Sequence, residues 1–229
     1  MQAALTSLAL FLAATSAALP ARAAVRQSAS DGFVVEQSAR VAAPADKAWS
    51  TLVDVARWWS DGHSWSGSAA HLHLDATAGG CLCERWDGGS VEHARVLMAI
   101  PAQVLRLQGA LGPLQELPVT GVLGFALAQE ADGATRIDVS YRVGGNSGSA
   151  LDGWAPAVDE MLAGQLARLA RTIDTGNPEP PPQETGSSPS SAEARAAILE
   201  AWRQSAEEAL RAQPMETPPP RVSPPPPRP

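Results

Sequence analysis

The sequence is poor in several residue types that would point to a particular class of protein. It has two cysteines, one tyrosine and, among seventeen basic residues, a single lysine, Lys47. Two cysteines allow at most one internal disulfide, so the fold must depend on an apolar core. The acidic excess gives a net charge of −7, which argues against nucleic acid because that partner requires a basic face. The sequence has no phosphate-binding loop and no dinucleotide-binding fingerprint, and we expect no cofactor.

Also missing is an apolar run long enough for a stable membrane span. The apolar stretch from Ala3 to Leu19 is short and rich in alanine, and it is followed by Pro20 and a small-x-small sequence. This arrangement is typical of a secretory signal peptide, although its start has no lysine or arginine. We therefore assign residues 1–23 to a signal peptide and expect a periplasmic or secreted protein that is not an integral membrane protein. The alternative, a buried N-terminal helix, has no capping residues to support it.

The C-terminal part of the sequence divides into three segments by composition. Residues 175–190 are rich in proline, glycine, serine and acidic side chains, which predicts a disordered linker. Residues 191–212 predict an amphipathic helix, and residues 213–229 a proline-rich disordered tail. We expect this helix to dock on the body of the protein or to pair with a protein partner, with a membrane surface as the third alternative. Its apolar stripe consists of Ile198, Leu199, Trp202, Ala206 and Leu210.

The middle of the sequence, residues 33–174, has the length of one domain and follows a segment over 24–32 that we expect to be flexible. Alternating apolar residues predict a first strand over 33–41, and helical spacing begins at Pro44. The apolar spacing over residues 151–173 predicts a helix with a wide apolar stripe that needs a covering layer. The predicted strands must supply that layer, so the sheet curls around the helix in an α+β fold. The remaining strands are predicted over 71–75, 81–87, 90–100, 103–109, 119–129 and 135–143.

Several motifs in this order carry a family resemblance. They are "VAAPADKAWSTLVDVARWW", "AGGCLCE", "GSVEHARVLMAIPAQVLRLQGALGPLQ", "GATRIDVSYRVGG" and the last helix with Trp154. Over residues 33–174 the chain resembles the SRPBCC, or START-like, helix-grip superfamily, and within it the polyketide cyclase and heat-shock ATPase activator-like group. The resemblance implies a curved antiparallel sheet wrapped around a long C-terminal helix. It also implies a cavity between them that admits an apolar ligand.

The resemblance defines which residues would contact such a ligand. Trp58, Trp59 and Trp65 would rim the cavity entrance, or they would form a plug between helix and sheet. Gln165 is polar on an apolar stripe and would orient the ligand. In the alternative interpretation, the protein's own side chains fill the cavity. The expected lining residues are Phe125, Leu127, Val139, Tyr141, Met161, Gln165 and Leu169.

An enzymatic function would require acid–base groups inside the cavity, as enzymatic relatives in the superfamily have. The candidates are His63, Glu84, Arg85 and Asp87, although strand parity places Glu84 on the face opposite to Arg85 and Asp87. The motif "GHSWSG" at 62–67 nearly matches the nucleophile elbow of hydrolases, but it follows a helix rather than a strand.

We therefore predict an exported protein that binds a hydrophobic small molecule or lipid without changing it chemically. A cyclase or dehydratase is the first alternative, and a protein-interaction module acting through residues 191–212 and the tail is the second. Two convergent ionisable groups inside the cavity would favour an enzymatic function over ligand binding alone.

The stretch "HLHLDATAGGCLCE" raises three further interpretations. A hairpin that sets His73 opposite Cys81 and His71 opposite Cys83 would place four metal ligands on one face, suited to zinc or copper. Other loop lengths do not build this site. A Cys81–Cys83 disulfide requires a local bend, because residues two apart on a strand are about 6.6 Å apart. We therefore expect no metal and two buried free thiols that pack the sheet.

Overall fold

The strands and helices begin and end close to the boundaries that the sequence predicts. The computed structural model describes residues 24–180. The signal peptide predicted over 1–23, most of the linker, and the helix and tail predicted over 191–229 lie outside the described residues. The strands are β1 (Ala24–Ala29), β2 (Gly32–Val41), β3 (Leu72–Leu74), β4 (Cys81–Trp86), β5 (Gly89–Ile100), β6 (Val104–Gln108), β7 (Thr120–Gln129) and β8 (Thr135–Gly144). The α-helices are α1 (Ala45–Val53) and α2 (Leu151–Thr175).

The eight described strands form one curved antiparallel sheet in the order β1-β2-β8-β7-β6-β5-β4-β3. Strands β3 to β8 follow one another as a meander, and β2 closes it by pairing with β8 from Gly32 opposite Gly144 to Val41 opposite Thr135. The long helix α2 lies on the inner face, closest to β1 and β2. This architecture confirms the predicted α+β fold with a sheet around a long C-terminal helix.

Side-chain alternation explains how the sheet meets α2. The apolar residues Ile137, Val139, Tyr141 and Val143 of β8 are all buried, whereas the residues between them face outward. The helix ends at Gly176, whose φ of 81° is left-handed and therefore favours glycine at this position. The buried stripe of α2 supplies the other half of the core, with Leu151, Ala155, Val158, Met161, Leu162, Leu166, Leu169 and Ile173.

The N-terminal segment differs from the prediction. Residues 24–29, expected to be flexible, form the edge strand β1, which pairs with β2 from Ala24 opposite Glu36 to Ala29 opposite Gly32. The sequence does not predict this strand, because its residues are mostly exposed and show no alternation of apolar and polar side chains. An ion pair between Arg26 and Glu36, with a distance of 3.1 Å from Nε to Oε2, spans the two strands.

The segment over residues 54–71 lies between α1 and β3 and contains three short 3-10 turns. It is attached to α2 by side-chain hydrogen bonds. Arg168 donates to the carbonyl oxygens of Trp58 and Trp59 at 2.9 and 3.3 Å, and Gln165 accepts from the backbone N–H of Ser60 at 3.0 Å. The position of this segment, which we call the covering loop, therefore depends on the helix.

Candidate functional site

A row of side chains crosses the inner face of the sheet beneath α2. In this row Gln37 of β2 lies opposite Val139 of β8, Val139 opposite Phe125 of β7, and Phe125 opposite Leu105 of β6. All four side chains are buried. Val139 and Phe125 therefore face the interior, as the sequence predicts, and Gln37 adds an unexpected polar group beside them.

Gln37 is the distinctive residue of the row. Its Nε2 donates to Oδ1 of Asp159 on α2 at 2.5 Å and to the Asp159 carbonyl oxygen at 3.2 Å. Its Oε1 is buried and has no hydrogen-bond partner among the described residues. Burial raises the pKa of Asp159, although the hydrogen bond from Gln37 opposes this effect. A buried acceptor without a partner costs about 1–3 kcal/mol. A hydrogen-bond donor that reached Oε1 of Gln37 would remove this cost.

The sequence did contain a signal for Gln37. Along β2 the inward positions are occupied by Phe33, Val35, Ala39 and Val41, and Gln37 interrupts this series. A polar side chain at an inward position of an otherwise apolar strand is costly unless it is paired. That interruption would have identified the residue.

The other predicted lining residues also face the interior. Leu127, Tyr141, Met161 and Leu169 are buried and belong to one continuous core cluster. Gln165 is buried too, but both of its polar atoms are used, because Oε1 accepts from Ser60 and Nε2 lies 3.1 Å from Nδ1 of His63. Gln165 therefore holds the covering loop against α2.

The three tryptophans of the covering loop differ in how deeply their side chains are buried. Trp58 is buried and donates from Nε1 to the Leu52 carbonyl oxygen at 3.1 Å. Trp59 is half-buried and donates to the carbonyl oxygen of His63 at 2.9 Å. Trp65 is 47% exposed. Trp58 is thus part of the core, and only Trp59 and Trp65 reach the surface.

A second polar cluster lies at the other end of the inner face, where the covering loop meets β4 and β5. The Glu84 carboxylate is completely buried and accepts three hydrogen bonds. Backbone N–H groups of Trp65 and Ser66 donate at 3.0 and 2.5 Å, and Nε2 of His93 lies 3.0 Å away. Glu84 therefore fixes the tip of the covering loop to the sheet.

An irregularity in the sheet brings His93 to this carboxylate. The register between β4 and β5 shifts after Leu82, which pairs with Ala94, so that Cys83 pairs with Glu92 and His93 is the extra residue. Such a bulge allows two consecutive residues to face the same side. His93 and Ala94 are accordingly both buried. Cross-strand pairing of His93 with the Glu84 region is one of the possibilities that the sequence offers, but alternation along a regular strand cannot reveal the bulge that turns His93 inward.

The electrostatics of the pair follow from its burial. Burial raises the pKa of Glu84, but the hydrogen bonds from Ser66, Trp65 and His93 outweigh it and leave this pKa below its usual range. Burial lowers the pKa of His93, against the opposing effect of Glu84. The pair is therefore a carboxylate and a neutral imidazole at pH 7, with the imidazole donating from Nε2 and retaining Nδ1 as an acceptor.

The predicted catalytic residues are not brought together as a set. Arg85 and Asp87 are exposed, so they do not face the interior with Glu84. His63 is half-buried in the covering loop, where burial and then the charge of Arg168 lower its pKa. Ser64, which occupies the nucleophile position of the "GHSWSG" motif, lies in this loop, and its hydroxyl donates to the Asp61 carbonyl oxygen at 2.7 Å.

The stretch around the cysteines differs from the favoured prediction of two free thiols, and it also lacks the register that the metal alternative requires. His73 lies opposite Cys83 and Leu72 opposite Glu84, so the register that would assemble His71, His73, Cys81 and Cys83 around a metal is not formed. The cysteines are not free thiols, because Cys81 and Cys83 form a disulfide.

The physical reason for the disulfide is a local distortion of β4. The Cα atoms of the two cysteines are 5.4 Å apart, shorter than the spacing of about 6.6 Å in a regular strand. The register shift next to Leu82 accompanies this shortening. In a chain-entropy estimate, closing a three-residue ring contributes only about 1.6 kcal/mol to stability.

An open groove of about 760 Å³ occupies the outer face of the sheet, on the side away from α2. Small residues such as Gly124, Ala126 and Ser140 line it together with Arg106. The residues that border the groove also include Gln37, Phe125 and Val139 of the inner row, whose side chains are buried. No described helix is long and apolar enough to cross a membrane.

The fold defines the class of the protein as an α+β architecture in which an antiparallel sheet curves around a long C-terminal helix, consistent with a helix grip. A conserved protein of unknown function from Enterococcus faecalis, EF2215, has a TM-score of 0.50 and 12% identity, covering 80% of this chain and 91% of that one. CalU16 from Micromonospora echinospora has a TM-score of 0.47 and 16% identity, covering 81% and 98%. DynU16, from the dynemicin biosynthetic locus, has a TM-score of 0.43 and 25% identity, covering 63% and 48%.

At this level of identity the comparison with EF2215 shows a shared fold and nothing about activity. No protein-family model matches the chain, and no curated protein matches it.

Proposed function

We propose that this protein binds a hydrophobic small molecule or lipid between the sheet and α2, and that the bound molecule carries a hydrogen-bond donor. The observation that supports the proposal is the unpaired Oε1 of Gln37, buried next to Val139 in the row that continues to Phe125. A hydroxyl or N–H group of a ligand would satisfy this acceptor, and its apolar part would contact the neighbouring side chains. Binding in the interior also agrees with what the helix-grip resemblance implies.

Entry of a ligand would require the covering loop to move, because the side chains around Gln37 are buried. The loop is attached to α2 by Gln165 and Arg168 and to the sheet by Glu84. Its short 3-10 turns make weaker local structure than an α-helix does. We therefore place the entrance at this loop, next to the exposed Trp65.

The donor requirement can be tested with a pair of probes that differ only in a hydroxyl group, 1-naphthol and naphthalene. We expect the wild-type protein to bind 1-naphthol about 5-fold more tightly, since a neutral hydrogen bond contributes about 1 kcal/mol. Gln37→Leu should abolish this preference. Gln108→Leu, which changes an exposed glutamine, is the matched control and should retain it. Titration monitored by tryptophan fluorescence gives all the affinities.

Native mass spectrometry of the protein recovered from cells provides the independent test. We expect an adduct with the mass of a small molecule or lipid, which organic extraction removes. Absence of such an adduct, together with equal binding of both probes by the wild-type protein, would contradict the proposal.

We further propose that the protein acts after export, in the periplasm or outside the cell, on the basis of the signal-like sequence over 1–23. Recovery of a chain that has lost these residues from the exported fraction is the expected result. The segment over 191–212 is proposed to dock on the body or on a protein partner. Protection of Trp202 from fluorescence quenching in the isolated chain would favour docking on the body.

A second candidate function is acid–base catalysis, because the Glu84–His93 pair converges in the interior. The pair has the form of a general base with its orienting group, since Glu84 fixes the Nε2–H tautomer and leaves Nδ1 to accept a proton. If His93 acts on the bound molecule, the wild-type protein and His93→Asn should copurify with molecules of different mass. Identical adducts on both proteins would exclude this role and favour binding alone.

A further inference from the structure

The disulfide between Cys81 and Cys83 closes an unusually small ring, because only Leu82 separates the two residues. A disulfide stabilises a fold mainly by limiting the unfolded chain, and this effect grows with the number of residues enclosed. A bridge across a single residue limits the unfolded chain very little. Stabilisation is therefore a weak explanation for this disulfide.

The residues opposite the two cysteines provide the environment of a reactive thiol. Arg95 of β5 lies opposite Cys81, and Glu92 of β5 and His73 of β3 lie opposite Cys83. A guanidinium group favours the thiolate, which is the reactive form of cysteine. Arg95 also pairs with Glu92, at 2.5 Å, and donates to the Gly79 carbonyl oxygen, so two contacts hold its guanidinium group on the strand pair that carries Cys81.

The two cysteines also differ in access. Cys81 is half-buried, whereas Cys83 is 7% exposed. An external thiolate can therefore reach Cys81 more easily than Cys83. A carboxylate oxygen of Glu92 lies within 4.8 Å of both sulfurs, so the difference between the two cysteines comes from their access to solvent and from Arg95, not from Glu92.

We propose that Cys81 and Cys83 form a redox-active pair that exchanges two electrons with an external dithiol. In the reductive direction, a thiolate of that dithiol attacks the Cys81 sulfur, the Cys81–Cys83 bond breaks, and Cys83 leaves as a thiolate that takes up a proton. The second thiolate of the dithiol then attacks its partner sulfur in the mixed disulfide, releasing the Cys81 thiolate next to Arg95. The protein gains two electrons and the external dithiol becomes a disulfide. This proposal is independent of ligand binding in the interior.

The first test is reduction of the full-length protein by dithiothreitol in native buffer. We expect two thiols per chain and a mass gain of two hydrogens, with an unchanged circular dichroism spectrum. Reduction that occurs only after unfolding would overturn the proposal, because it is the behaviour of a structural disulfide.

The second test separates the roles of the two sulfurs. With Cys83→Ser, the remaining Cys81 should react with iodoacetamide at least about 10-fold faster than Cys83 does in Cys81→Ser. Arg95→Gln, combined with Cys83→Ser, should move the pH midpoint of this alkylation upward. Arg106→Gln, which changes an exposed arginine on β6, is the matched control and should leave the midpoint unchanged. Equal reactivity of the two cysteines, or equal midpoints for both arginine variants, would overturn the assignment.

Discussion

Replacement of Glu84 by glutamine tests whether the buried carboxylate holds the covering loop on the sheet. In the wild-type protein, Oε2 accepts from Trp65 and His93, and Oε1 accepts from Ser66. A glutamine oxygen can replace Oε2, but its NH₂ group would then face the N–H of Ser66. One hydrogen bond to a charged acceptor is lost, and two others become neutral.

The cost can be worked out from these contacts. The lost bond accounts for about 1.5–3 kcal/mol, and each weakened bond for about 1 kcal/mol. Removing a buried charge offsets part of this sum. We therefore expect Glu84→Gln to lower the free energy of unfolding by about 2–4 kcal/mol at pH 7, measured by urea unfolding with tryptophan fluorescence. Glu92→Gln, which changes an exposed carboxylate on the neighbouring strand, should cost less than about 0.5 kcal/mol.

The pH dependence of the difference in unfolding free energy between wild type and Glu84→Gln is a sharper test. Because hydrogen bonds hold the pKa of Glu84 below its usual value, the carboxylate stabilises the fold fully above a pH of about 4.3 and progressively less as pH falls through the lowered pKa. The difference between wild type and Glu84→Gln should therefore shrink in this acidic range. A cost below about 1 kcal/mol at pH 7, or a cost that does not change on acidification, would refute the argument.

Two further predictions concern the interior. The Tyr141 hydroxyl donates to the Gly109 carbonyl oxygen and accepts from the Leu111 N–H, both at 3.0 Å. Tyr141→Phe should therefore lower the free energy of unfolding, measured with urea, by about 2–3 kcal/mol. A decrease under about 0.5 kcal/mol would contradict this account. Because burial lowers the pKa values of His63 and His93, their protonation favours the unfolded chain, and stability should decline below a pH of about 6.5 by up to about 1.4 kcal/mol per pH unit for each histidine. His93→Gln should reduce that slope in urea unfolding at pH 5 to 7, and an unchanged slope would contradict it.

Regular periodicity made much of the fold predictable. The strand predicted over 135–143 is β8 at Thr135–Gly144, and the helix predicted over 151–173 is α2 at Leu151–Thr175, because in both the apolar residues repeat with the period of the element. The edge strand β1 was missed for the opposite reason. Its exposed residues have no periodic pattern, and its position depends on pairing with β2.

The candidate sites were less predictable because they depend on contacts between distant residues. Parity along β4 correctly separates Glu84 from Arg85 and Asp87, but it cannot supply a partner for Glu84. That partner, His93, faces Glu84 because β5 contains a bulge opposite Leu82 and Cys83. A bulge adds one residue to a strand, and nothing in the sequence marks where it occurs. The geometry of a regular strand disfavours a Cys81–Cys83 disulfide, and the same irregular region of β4 brings the two cysteines close enough to form it.

Hydrogen-bond accounting distinguishes the buried polar residues of the inner face. Glu84 accepts bonds from two loop N–H groups and His93, and Gln165 uses both of its polar atoms on the covering loop. These two residues are satisfied within the protein and so explain how the loop is held. Gln37 alone of the three leaves a buried atom unpaired. An unpaired buried acceptor is costly, so a ligand donor that binds Gln37 would gain more free energy than one that binds Glu84 or Gln165. Gln37 is therefore the position where a ligand should be sought first.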